Sequence, residues 1–173
     1  MQKNLNIIIR KIQFEDAEIL MELNNNLEIS HYVVGNPKKV SLSEQLEWMS
    51  NITKEKNTER WMVECNKKIV GTVIISSIDI INKTGNINIK LLPSFQGCGI
   101  AFEALKKICD IGFDELKLYC LTANILPYNL KSIGLFKKIG FKQDGILRSR
   151  VVKNGERYDL ITLSLLKVER MDK

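Results

Sequence analysis

Hydrophobic positions change their spacing several times along this chain, and each change marks an element. LNIIIRKI, residues 5–12, is short and rich in β-branched residues, which predicts a strand. In FEDAEILMELNNN, 14–26, Ala17, Leu20 and Leu23 fall on one helical face. That helix is expected to stop at Asn24, Asn25 and Asn26, whose side chains compete for backbone hydrogen bonds. SLSEQLEWM, 41–49, opens a second helix. Ser41 and Glu44 have capping-box spacing, and Leu42, Leu46 and Met49 form the apolar stripe. ERWMVEC (59–65) and KIVGTVIISSID (68–79) read as strands joined by a turn within NKK. In GNINIKLL (85–92), Ile87, Ile89 and Leu91 alternate with Asn88 and Lys90, the period of a half-buried strand.

From 97 to about 113 the period lengthens, and Ala101, Ala104, Leu105, Ile108 and Gly112 share one helical face. KLYCLTA (117–123) predicts another strand, and a helix follows over 129–139, ended by Gly140. GILRSRVVK and ERYDLITLSLL are strands joined by Asn154-Gly155, a turn pair suited to positive φ. The order of elements predicts a strand-rich α/β domain, with a helical insertion near the front and a hairpin at the back.

Composition adds bounds. At 173 residues and 45% hydrophobic, the chain suits one domain with a core that needs no metal or disulfide staple. No apolar run reaches membrane-span length, and MQKNLNIIIRK lacks a signal-peptide layout, so a cytoplasmic protein without a membrane partner is expected. Cys65, Cys98, Cys109 and Cys120 form no C-x-x-C pair, and His31 is the single histidine. Reduced thiols and no metal site are the expectation. The net charge of +6 favours an anionic partner. With no dense basic block and only 7% aromatics, a phosphate-bearing cofactor fits better than nucleic acid.

The candidate chemistry sits in PSFQGCGIAFEAL, 93–105. A Walker A loop requires Lys-Ser/Thr after its last glycine, but Ile100-Ala101 follow Gly99. A dinucleotide fingerprint requires Gly or Ala where Phe102 stands. What remains is Gln96-x-x-Gly99-x-Ala101 between a strand and a helix. Small residues there let backbone N–H groups approach a diphosphate at the helix start.

This pattern resembles the pyrophosphate loop of the GNAT superfamily of acetyl-CoA-dependent N-acetyltransferases. NLKSIGLFKKIGF, 129–141, resembles a second segment of that family, and GILRSRVVKNGERYDLITLSLL resembles the closing hairpin of its ribosomal-protein, polyamine and amino-sugar branches. The likeness is strong over 85–165 and looser before. It implies a mixed, mostly antiparallel twisted sheet of about seven strands flanked by helices, with two strands splayed at the cofactor site. It also implies one domain over 1–173. Its parts would be an acceptor side (1–58), an acetyl-CoA-binding core (59–141) and a hairpin (142–168).

On this resemblance the acetyl-CoA contacts are Leu91, Leu92, Gln96, Gly97, Cys98, Gly99, Ile100, Ala101, Asn129 and Ser132. Asn129 also reads as a plain helix cap. Two positions depart from the family. Phe136 stands where many relatives have a proton-donating tyrosine, and Asn86 where many have a glutamate base. General acid and base therefore do not carry over, and Tyr128 is at the wrong position to serve. His31, by its intrinsic acidity, is the candidate base. Glu28 and Trp48 join it as candidates on the acceptor side, Trp48 having packing on the core as its alternative. The expected reaction is acetyl transfer to a primary amine of a small molecule. The positive charge favours an amino-sugar nucleotide. A polyamine, a protein N-terminal or ribosomal-protein amine, and a non-catalytic acetyl-CoA-binding module are the alternatives. A homodimer is the assembly common in the superfamily.

Overall fold

The computed structural model describes residues 5–170. Residues 1–4 and 171–173 of the expected single domain lie outside that range. Seven strands form one sheet: β1 (Ile7–Lys11), β2 (Glu59–Cys65), β3 (Lys68–Asp79), β4 (Thr84–Leu91), β5 (Cys120–Ile125), β6 (Lys142–Lys153) and β7 (Glu156–Leu166). Their order across the sheet is β1-β2-β3-β4-β5-β7-β6. Every neighbouring pair is antiparallel except β4–β5.

The helices are α1 (Ala17–Asn25), α2 (Leu27–Tyr32), α3 (Leu42–Asn51), α4 (Ile100–Asp110) and α5 (Leu130–Ile139). Successive side chains of a strand point to opposite faces, so the sheet sorts its residues by parity. On β2, Trp61, Val63 and Cys65 join α4 and α5 in the main core. Met62 faces the other way, onto Ala17, Leu20 and Met49 of α1 and α3.

The three consecutive asparagines divide their work. Asn24 donates to the Gln45 side chain, and Asn25 exchanges two bonds with the backbone of Val40. Asn26 caps α2 by accepting from the Ile29 N–H. Helix α2 was not foreseen: it is six residues long, too short to leave a periodic signature. Two other bounds differ from expectation. The glycine stretch lies outside α4, which starts at Ile100 and runs into a π-helical turn at Ile111–Glu115. β5 begins at Cys120 because Lys117 takes φ 57°. The Asn154-Gly155 turn has positive φ at both residues, as expected.

At the first edge of the sheet, Arg10 binds both oxygens of Asp16 at 2.8 and 2.7 Å and also donates to Glu64. The Asp16 side chain is 1% exposed and accepts a third bond from the Gln13 N–H. Burial pushes its pKa up, but the Arg10 and Gln13 bonds outweigh burial and hold it below the usual carboxylate value. The folded carboxyl is thus the stronger acid. Its stabilisation is present above the unfolded pKa and is lost as pH falls through the folded one. Asp16→Asn is expected to cost about 2–4 kcal/mol at pH 7, because a buried amide cannot accept the Arg10 and Gln13 bonds together and turns a donor toward the guanidinium. Urea unfolding of both proteins should show that gap narrowing below about pH 4.

Candidate active site

The parallel pair β4–β5 is short. Its ladder holds Thr84 opposite Cys120, Gly85 opposite Leu121 and Asn86 opposite Thr122. Beyond Asn86, β4 continues with β3 as far as Leu91, while β5 continues with β7 as far as Ile125 opposite Ile161. The two strands therefore separate. The Leu92 N–H donates to the Val70 carbonyl at 2.9 Å, which sets the parity of β4: even-numbered residues turn their backbone groups to β3. Ile87, Ile89 and Leu91 turn theirs into the gap. The Leu91 carbonyl is met there by Gln96 Nε2 at 3.1 Å.

Two cavities meet at this gap, of about 450 and about 420 Å³. They share Tyr32, Val33, Ile89, Lys90, Asn129 and Ser132. The first runs past Gln96, Gly97, Gly99 and Ala101 toward Lys131 and Lys138. The second opens on Val34, Asn36, Asn88, Asn124 and Phe136. Among the described residues, no aspartate or glutamate lines either one.

Gly97 and Gly99 take φ 75° and 85°, a left-handed conformation that side chains rarely adopt. Gly99 is the N-cap of α4 and offers no side chain to bond the helix start. The first helical bond runs from the Glu103 N–H to the Gly99 carbonyl at 3.2 Å. The N–H groups of Ile100, Ala101 and Phe102 thus have no helical acceptor. A Cβ at Gly97 would meet nothing within 4 Å, so backbone conformation and open space explain that glycine, not packing. Lys106 and Lys138 sit over the Phe102 ring at 5.9 and 5.0 Å. Free donors, cations and room beside a wall without carboxylates suit a diphosphate-bearing group.

Of the expected cofactor contacts, Leu91, Gln96, Gly97, Gly99, Ala101, Asn129 and Ser132 stand on the first cavity's wall. Three do not. Leu92 packs with Leu23 and Ile29, Ile100 is in the main core, and exposed Cys98 turns its thiol toward the Gln96 carbonyl. Asn129 caps α5 by accepting from the Ser132 N–H, and its Nδ2 donates to the Tyr32 carbonyl at 3.4 Å.

The expected acceptor-side residues do not converge. His31 lies in the last turn of α2, not in a loop, and its exposed ring meets Tyr32 edge-on at 4.7 Å and Tyr128 at a tilt at 5.1 Å, outside both cavities. Glu28 is exposed on the same helix. Trp48 packs with the α1–α3 cluster and lies 5.3 Å from the Arg60 guanidinium. Phe136, 2% exposed, meets Phe141 edge-on at 5.0 Å. Asn86 donates to Thr122 Oγ1. Sequence reasoning passed over Tyr32 and Lys90. Lys90 lies on the shared wall, and its Nζ reaches Asn24 Oδ1 at 3.2 Å. Burial pushes its pKa down. It read only as the polar half of an alternating strand, so its type gave no signal.

A family profile described as the acetyltransferase (GNAT) domain matches residues 6–142. The spermidine N(1)-acetyltransferase of Escherichia coli strain K12 is 27% identical over 91% of this chain and 84% of its own. The putative ribosomal N-acetyltransferase YdaF of Bacillus subtilis is 27% identical over 96% and 94%. The crystal structure of spermidine N-acetyltransferase from Vibrio cholerae, in complex with CoA and spermine, superposes with a TM-score of 0.88. That structure is 25% identical, covering 94% of this chain and 96% of that one. With the profile spanning most of a chain that already displays the splay and the glycine turn, this protein belongs to the GNAT acetyltransferases and uses acetyl-CoA as the donor in N-acetyl transfer.

Proposed function

We propose that the enzyme acetylates a primary amine of a polyamine. The observation that supports this most is the likeness to the Vibrio cholerae spermidine acetyltransferase solved with CoA and spermine, at 25% identity over 94% of this chain. In this reading the first cavity takes acetyl-CoA. The diphosphate lies against the free N–H groups of Ile100, Ala101 and Phe102, Lys131 and Lys138 balance its charge, and the pantetheine arm follows the open edge of β4 at Ile89 and Leu91. The amine enters through the second cavity and meets the thioester at the shared wall.

An alkyl amine has a pKa of about 10.4, so roughly one molecule in a few thousand is neutral at pH 7. The Lys90 cation at the junction disfavours a second cation and so selects the neutral amine. The amine nitrogen attacks the carbonyl carbon, the carbon–sulfur bond breaks, and the amine proton leaves through the second cavity to solvent. The Ile89 N–H faces the gap and stabilises the charge that develops on the carbonyl oxygen. Phe136 has no proton to give the leaving sulfur. Tyr32, a residue that lines both cavities, is the proposed donor.

A second reading has an observation of its own. Two cavities without a carboxylate, sharing a lysine, suit an amine borne on an anionic molecule such as a nucleotide-linked amino sugar. A CoA-release assay across polyamines, amino-sugar nucleotides, amino acids and peptides separates the two. Turnover of spermidine or spermine above the rest supports the first reading, and turnover of the nucleotide sugars alone overturns it. Lys90→Met should leave the KM of a polyamine within about threefold, but raise that of an anionic acceptor more than about tenfold.

Gly99→Asp places bulk and like charge where the diphosphate should lie. Acetyl-CoA affinity by calorimetry is expected to fall more than about tenfold with the fold intact. Unchanged affinity would remove the cofactor assignment. Tyr32→Phe should lower kcat about tenfold at constant KM, whereas His31→Ala should leave kcat/KM within about threefold and the pH–rate profile unshifted.

A further inference from the structure

Lys153 ends β6 beside the tip of the β6–β7 hairpin, yet it is only 4% exposed. Its ammonium donates to the carbonyls of Ser30 at 2.6 Å, Val33 at 2.9 Å and Gly35 at 3.0 Å. An ammonium has three protons, and these bonds use all three. None of its partners is a carboxylate. A cation buried among carbonyls alone is costly, and burial lowers its pKa accordingly. The compensation is local: Ser30 lies in the last turn of α2, whose carbonyls have no helical donors and carry partial negative charge, and Val33 is the C-cap of that helix.

The hairpin and the α2 exit are tied at a second point. Asn36 Oδ1 accepts from the Asn154 N–H at 3.2 Å, and its Nδ2 donates to the Val152 carbonyl at 3.4 Å. From the other side, the Tyr128 hydroxyl donates to the His31 carbonyl at 2.9 Å and Asn129 to the Tyr32 carbonyl. The carbonyls of residues 30, 31, 32, 33 and 35 therefore each have a side-chain donor from more than 90 positions away. Helix α2 has too few residues to be rigid alone. The segment it leads into supplies Val33, Val34, Asn36 and Pro37 to the second cavity.

We infer that Lys153 is a positioning residue for the amine acceptor: by gathering the α2 exit onto the hairpin it holds Tyr32–Pro37 as one wall of the acceptor cavity. The inference rests on the reading of the second cavity as the amine's. Lys153 touches neither cavity, and nothing in the reaction uses its proton.

Two variants test it, assayed with the best amine from the panel and with acetyl-CoA. Lys153→Met removes all three bonds, and Asn36→Ala loosens the same junction from an exposed position. The amine KM is expected to rise about tenfold and about threefold respectively, with kcat within about threefold and acetyl-CoA affinity within about twofold. Hydrogen exchange should quicken at the amides of residues 33–36 and not across the sheet. If Lys153 were only part of the general framework, exchange would quicken everywhere and kcat would fall with the active fraction while KM stayed put. That pattern overturns the inference. So does local loosening with an unmoved amine KM in both variants, an outcome that leaves the wild-type acceptor panel standing. If Lys153→Met does not fold, Lys153→Gln, which removes the charge but keeps a donor, decides in its place, because Asn36 itself lines the second cavity.

Discussion

One parallel pair in an otherwise antiparallel sheet sets the terms for everything else in this molecule. β4 and β5 pair over three residues and then follow different partners, β4 staying with β3 and β5 with β7. A parallel connection needs a crossover, here supplied by α4, so the glycine turn that starts the helix lies directly above the gap. The attachment of β4 to β3 is enforced by Gly71. A Cβ there would stand 2.1 Å from the Lys90 carbonyl, so only glycine lets the end of β4 lie so close. Were β4 free to follow β5, the ladder would close and the backbone edge at Ile89 and Leu91 would be consumed within the sheet.

The electrostatics follow from the same opening. Backbone N–H groups, lysines and neutral polar side chains line the gap, and among the described residues no carboxylate stands on the cavity walls. Such a surface binds phosphate readily and does not attract a cationic amine by charge. In the proposed reaction, the Lys90 cation favours the neutral amine over its charged form, and transfer then proceeds without a carboxylate base. The exposed His31 ring meets Tyr32 edge-on and lies tilted against Tyr128, outside both cavities.

Much of the fold was legible from the order of residues. The seven strands, the Ser41–Glu44 capping box, the Asn154-Gly155 turn and Gly140 at the end of α5 are written in neighbouring residues and follow from local preferences. The glycine turn was legible for the same reason, since positive φ at Gly97 and Gly99 is a local demand. Helix α2 was not, because six residues do not complete a periodic pattern. The side chains of Leu92 and Ile100, next in sequence to wall residues, pack inward, since neighbouring positions of a strand or a helix face different ways.

By itself, the sequence determined the strands, the longer helices, the glycine turn and with it the chemistry of the donor, because those depend on residues within a few positions of one another. The tertiary structure decided what surrounds the second cavity. Lys90 reaches Asn24 across 66 positions, Tyr128 reaches His31 across 97, and Lys153 reaches Ser30 across 123. Nothing in a lysine's immediate neighbours distinguishes a solvated surface charge from one buried among carbonyls. That difference arises only when the sheet brings distant backbone groups around it, where each unpaired donor or acceptor would cost free energy.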